Sequence, residues 1–164
     1  MKRHIALLMS TAFVVLDQFF KILAMDKLEP IGSLPIIPDI FHLTYIENRG
    51  AAFGMMEGKK WVLIGLTAAV LLVAVLLVLA GKLESNNHLL FSVCTIIGGG
   101  VGNLIDRIYR GFVVDYIHLK LINFAVFNFA DCCITVGAFM IIAYEIYEII
   151  SERKKKAETD DSTD

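Results

Sequence analysis

The chain has 164 residues, of which 57% are apolar and 20% charged, with a formal charge of −2 and a mean hydropathy of +0.67. So apolar a composition excludes an ordinary soluble domain and a disordered chain alike. Long uncharged runs then place the chain among integral membrane proteins.

The opening MKRHIALLMSTAFVVL has the basic start and apolar run of a cleavable secretory signal. No small-x-small cleavage site follows, and the apolar stretch resumes past Asp17 as FFKILAM, so a retained first helix over residues 5–25 is expected. Asp17 and Lys21 are spaced i, i+4 on it and can neutralise each other.

The outer segment 26–60 follows. Ile37, Asp39, Phe41, Leu43 and Tyr45 alternate with Pro38, Ile40, His42, Thr44 and Ile46 at strand period. A short helix or turn is expected around residues 51–57, after the cluster Asn48, Arg49, Gly50. Apolar residues on both faces of the strand suggest a small sheet lying partly in the lipid interface.

Residues 61–80 carry no charge and have the length that crosses about 30 Å of hydrocarbon as a helix. GKLESNNH reads as a plain turn, and residues 89–109 as a third span. In that span Gly98, Gly99, Gly100 and Gly102 let a neighbouring helix approach closely, and Asn103, Asp106 and Arg107 follow them. The second outer segment, 110–126, contains Asp115 in the β-forming stretch VVDYIHLKLI. A fourth span over residues 127–150 begins with Asn128 and Asp131 and has Glu145 and Glu148 at its far end. The whole is one membrane-embedded domain, 1–150, with residues 151–164 expected as a disordered cytoplasmic tail.

Four spans put both termini on one side. Lys2, Arg3 and the basic run 153–156 make that side cytoplasmic under the positive-inside rule, and the run reads as an orientation signal rather than a nucleic-acid patch. Counting along the helices at about 1.5 Å per residue then brings Asp17, Asp106 and Asp131 to the opposite leaflet, where Asn48, Arg49 and Asp115 also lie.

Ionisable groups at membrane depth are costly, which makes each a candidate for function unless it is simply paired. Asp106 reads as charge-paired to an arginine, with Arg107 beside it. Asp115 and Asp131 have no basic residue within one helical turn. Two such carboxylates sharing a site would form the arrangement of an aspartic-protease dyad, with Asp106 and Asp17 also available for the pairing. Cys94, Cys132 and Cys133 suggest neither a disulfide framework nor a metal site, and no cofactor is expected. A proton-coupled transporter also uses intramembrane carboxylates, but the second span here has no ionisable residue to complete a relay.

In order, the stretches DQFFK from Asp17, NRGAAFG from Asn48, GGVGNLIDR from Gly99, VVDYI from Val113 and FNFAD from Phe127 resemble the lipoprotein signal peptidase family, also called signal peptidase II. The resemblance implies four transmembrane helices, a small extracytoplasmic β-cradle and a short surface helix in a bacterial cytoplasmic membrane. It implies an aspartic endopeptidase that removes the signal peptide from diacylglyceryl-modified prolipoproteins, next to the lipidated cysteine. Membrane lipids are its other partners, and the cyclic peptide globomycin its inhibitor; a monomer is expected. By resemblance Asp115 and Asp131 are the catalytic pair, while Asp17, Asn48, Asn103, Asp106, Arg107 and Asn128 shape and support the site. Lys21, Arg49 and Gly50 belong to the same motifs and are grouped with them. The chain departs from the family pattern at Phe20, where a small hydroxyl residue is frequent, at Ala125, near a common proline, and at Cys132, where serine is usual.

Overall fold

The computed structural model describes residues 2–50, 58–122 and 124–161. Four helices carry the fold, α1 (Lys2–Leu28), α2 (Lys60–Leu79), α3 (Asn87–Tyr109) and α4 (Phe129–Asp161). Each contains a window long and apolar enough to cross a bilayer. On α2, Val62, Leu66, Val70 and Val73 are 54–60% exposed, as suits side chains whose neighbour is lipid.

Helix α3 is the axis of the bundle. It packs most extensively against α4 and α1 and less against α2. Its consecutive glycines explain how, because each successive residue turns about 100° around the helix and so addresses a different neighbour. A Cβ on Gly98 would lie 2.9 Å from that of Phe13 in α1, and one on Gly100 would lie 2.7 Å from Leu71 Cδ2 in α2. On Gly99 it would run into the carbonyl oxygen of Ala130 in α4. These backbones are close because nothing stands between them. Toward the end of the bundle that holds residue 6, Ala6, Val78, Leu90, Cys94 and Ile97 form a buried cluster.

At the opposite end lies an antiparallel three-stranded sheet in the order β1 (Ser33–Ile37), β2 (Phe41–Asn48), β3 (Val113–Leu119). The alternation from residue 37 to 46 therefore does not belong to a single strand. Pro38 lacks a backbone donor, Asp39 takes a φ of 60°, and the Ile40 N–H donates to the Ile37 carbonyl at 3.1 Å. The chain reverses there into a hairpin. Val114 and Tyr116 of β3 pack on Ala24 and Leu28 of α1, which seats the sheet on the bundle. The backbone of Phe127 pairs with Ile117 and so leads the chain back across β3 into the start of α4.

The short helix or turn expected at 51–57 lies outside the described residues. The tail expected to be disordered from residue 151 is instead helical as far as Asp161. Its Glu, Arg, Lys and Ala residues are good helix formers, and extending an existing helix needs no new nucleus.

Candidate active site

Asp115 lies in the middle of β3 and Asp131 in the first turn of α4. The segment joining them folds back through Phe127, so both carboxyl groups line one cavity of about 510 Å³. Asn48, Asn103 and Arg107 form the rest of its polar wall. Residues 124–127, with Val113, Ile134 and Val136, form the larger apolar wall.

Asn128 ties the two carboxyl groups together. It caps α4, its side-chain oxygen accepting from the Asp131 N–H at 3.0 Å while the Asp131 carboxylate accepts from the Asn128 N–H at 3.2 Å. This is a capping box with aspartate in the acidic position, and it fixes the orientation of Asp131. The Asn128 amide nitrogen then donates to Asp115 Oδ1 at 2.6 Å and to Asn103 Oδ1 at 3.2 Å. Asn103 donates in turn to Asp131 Oδ1 at 2.8 Å, and Asn48 to Asp115 Oδ2 at 3.0 Å. Burial, followed by the nearby charge of Asp131, raises the Asp115 carboxyl to about 7, against the opposing pull of the Asn48 and Asn128 amides.

The other residues singled out in the sequence divide between cavity wall and supporting network. Arg107 donates to the carbonyl of Gly50 at 3.1 Å, and the Gly50 N–H donates to Asn48 Oδ1 at 3.0 Å, so the turn after β2 is held against α3. Arg49 turns away, pairing with Glu47 at 2.6 Å and lying 5.3 Å above the Phe112 ring. Asp17, Lys21 and Asp106 are buried together behind the cavity. The arginine on Asp106 is Arg110, one helical turn on, rather than its neighbour Arg107. Arg110 is not among the residues singled out above, although its i, i+4 spacing from Asp106 is the signal that finds it.

Of the three cysteines, all free, Cys132 lines the cavity. His42 and His118 face each other across β2 and β3 with ring centroids 6.2 Å apart, and neither lines the cavity. Among the described residues no three His, Cys, Asp or Glu side chains converge as a metal site would need.

Known proteins resemble this chain in both sequence and fold. The family described as signal peptidase (SPase) II matches residues 9–147. The lipoprotein signal peptidase of Caldanaerobacter subterraneus is 50% identical over 131 residues, covering 79% of this chain and 88% of that protein. That of Halothermothrix orenii is 44% identical over 131 residues, covering 80% and 88%. A bacterial membrane enzyme solved by the in meso method at 2.3 Å resolution superposes with a TM-score of 0.80 at 28% identity, covering 89% of this chain and 90% of the other. With the match running through all four helices and the sheet, the chain belongs to the signal peptidase II family, the membrane aspartic peptidases that cleave prolipoprotein signal peptides.

Proposed function

We propose that Asp115 and Asp131 are the catalytic dyad of this peptidase and cleave the prolipoprotein on the N-terminal side of its diacylglyceryl-modified cysteine. The observation that carries the reading is the single amide of Asn128, which is bonded to Asp115 and caps the helix turn bearing Asp131 inside one cavity. Asp115 holds its proton toward neutral pH. Asp131 is the partner that faces the water, oriented by the Asn103 amide and the Asn128 N–H.

In the first step Asp131 takes a proton from a water lying between the carboxyl groups, and the oxygen attacks the scissile carbonyl carbon. Asp115 gives its proton to the carbonyl oxygen, forming a neutral tetrahedral diol with no covalent enzyme adduct. As the C–N bond breaks, Asp131 passes its proton to the departing amine of the lipidated cysteine. A diol hydroxyl returns a proton to Asp115 as the carboxyl product forms, and the starting protonation is restored. Two titrating carboxyls give a bell-shaped dependence of rate on pH, with values belonging to the pair.

The apolar wall suits a substrate whose lipid chains stay in the bilayer. The amides of Asn48 and Asn103 and the guanidinium of Arg107 suit an extended backbone that lipid could not satisfy. Lys2, Arg3 and the basic stretch 153–156 support an orientation with both termini cytoplasmic and the cavity near the extracytoplasmic face of the bacterial inner membrane. The enzyme acts as a monomer, and globomycin would compete for the same cavity.

The test is incubation of the purified protein in detergent with a diacylglyceryl-modified prolipoprotein, read by the size shift on loss of the signal peptide. Wild type cleaves, whereas Asp115→Asn and Asp131→Asn remain folded and do not. Cleavage by either folded variant at the wild-type rate sinks the dyad.

A further inference from the structure

Behind the cavity two buried carboxylates take no part in the proposed chemistry, yet each holds the residue that precedes one member of the dyad. Asp17 Oδ1 accepts the N–H of Ala130 at 3.0 Å, one residue before Asp131. Asp106 Oδ2 accepts the N–H of Val114 at 3.0 Å, one residue before Asp115.

Lys21 lies between them. Its Nζ is 2.8 Å from Asp17 Oδ2, 3.2 Å from Asp106 Oδ2 and 2.8 Å from Asn103 Oδ1. An ammonium group has three donors, so these acceptors use all of them. Full use is what a wholly buried Lys21 requires, because an unpaired charge there is costly. The second Asp106 oxygen takes Arg110 and the Gln18 amide, and Gln18 Oε1 receives Arg110 at 2.9 Å. Two carboxylates and two cations make the network neutral.

Asn103 gives Lys21 a third route to the dyad. Its Oδ1 is occupied by Lys21 and Asn128, which leaves Nδ2 to donate to Asp131 at 2.8 Å. A reversed amide would turn NH₂ toward two donors and oxygen toward a carboxylate. Small residues provide the space for the network, since a Cβ on Gly102 would run into the Asp17 carboxylate.

We infer that Lys21, with Arg110 beside it, is the positioning residue for both catalytic carboxyl groups, a charge-neutral clamp acting on the strand at Val114, the helix start at Ala130 and the Asn103 amide. This rests on the dyad reading above. Lys21 also supplies positive charge near Asp115, drawing its carboxyl down where burial and then Asp131 push it up.

The clamp is tested in the cleavage assay with Lys21→Met, which keeps the chain length and removes the charge. The expected loss in kcat is about 100-fold, the scale on which displacement of catalytic groups by about 1 Å is felt. KM changes little, because Lys21 does not line the cavity. The alkaline limb of the kcat profile, where Asp115 gives up its proton, moves to higher pH, since losing the positive charge of Lys21 makes that carboxyl hold its proton more tightly. A purely structural lysine would lower the folded fraction and leave the profile of the surviving molecules in place.

If Lys21→Met does not fold, Lys21→Met with Asp17→Asn removes one charge of each sign and keeps an oxygen for the Ala130 N–H, with the same fall in kcat expected. Arg110→Gln removes a cation that is 20% exposed and leaves Lys21 in place. It should lower kcat about tenfold, and Arg110→Lys should restore most of the loss. A folded Lys21 variant with wild-type kcat and pH profile overturns the clamp, and Arg110→Gln at full kcat removes Arg110 from it. Asp115→Asn runs alongside: if that variant cleaves, the dyad reading falls; if it is inactive while the Lys21 variants behave as wild type, the clamp alone falls.

Discussion

Replacing Asp115 with Asn should abolish cleavage and, at alkaline pH, make the protein harder to unfold. Asp115 is 2% exposed, and its carboxyl moves from 3.8 to about 7 through burial first and the Asp131 charge second. An unfolded chain would release that proton near 3.8. Between the two values the native state therefore holds more protons than the unfolded state, and stability falls as pH rises; outside that window the group contributes no slope. The window is about three units wide, so crossing it from about pH 4 to about pH 8 costs the wild type about 4 kcal/mol.

Asparagine cannot ionise, so the variant loses this slope. It also offers one oxygen where the Asn48 and Asn128 amides now donate to two, at 3.0 and 2.6 Å. The orphaned amide returns about 1–3 kcal/mol of the gain. The variant should thus be more stable than wild type by about 1–3 kcal/mol near pH 8 and less stable by a similar amount near pH 4. Thermal unfolding in one detergent across that range, followed by circular dichroism, would show two curves that cross. Parallel curves would refute the assignment of a proton held by burial.

Gly99→Val should push the start of α4 away from α3, because its Cβ meets the Ala130 carbonyl, and should lower cleavage about 100-fold. Gly65→Val on α2, where nothing lies within 4 Å, is the matched control and should cleave at the wild-type rate in the same assay. Asn128→Ala should reduce kcat about 100-fold or more while the protein stays folded, since a lost helix cap costs only about 1 kcal/mol. A purified Asn128→Ala with full activity would remove that residue from the site.

The four spans could be read in the sequence because the cost of an unsatisfied backbone in lipid leaves a spanning segment few forms besides a long apolar helix. The Asp17 and Lys21 pair could also be read, since four residues along a helix brings side chains together whatever surrounds them. The hairpin at Pro38 is masked in the sequence because its two arms continue the same alternation, although the proline is the stronger signal. That Asp106 pairs with an arginine is legible in the sequence, and the structure identifies it as Arg110, because i+1 side chains diverge on a helix and i+4 side chains meet. The bonds from Asp17 to Ala130 and from Lys21 to Asn103 join residues on different helices. No local pattern encodes them, because they follow from how closely the glycine row lets α1, α3 and α4 approach.

The capping box at the start of α4 has a consequence for biosynthesis. On the proposed chemistry, Asp115 is synthesised and its strand can form while Asp131 and Asn128 are still to come, and neither of those is oriented until the first turn of the last helix has closed. A partly made chain in the membrane then has one unassisted acid and lacks the larger wall of the cavity, which residues 124–127, Ile134 and Val136 supply. Proteolytic competence would arrive in a single late event, the seating of the fourth span, and the membrane would be spared a half-built protease among its other nascent proteins.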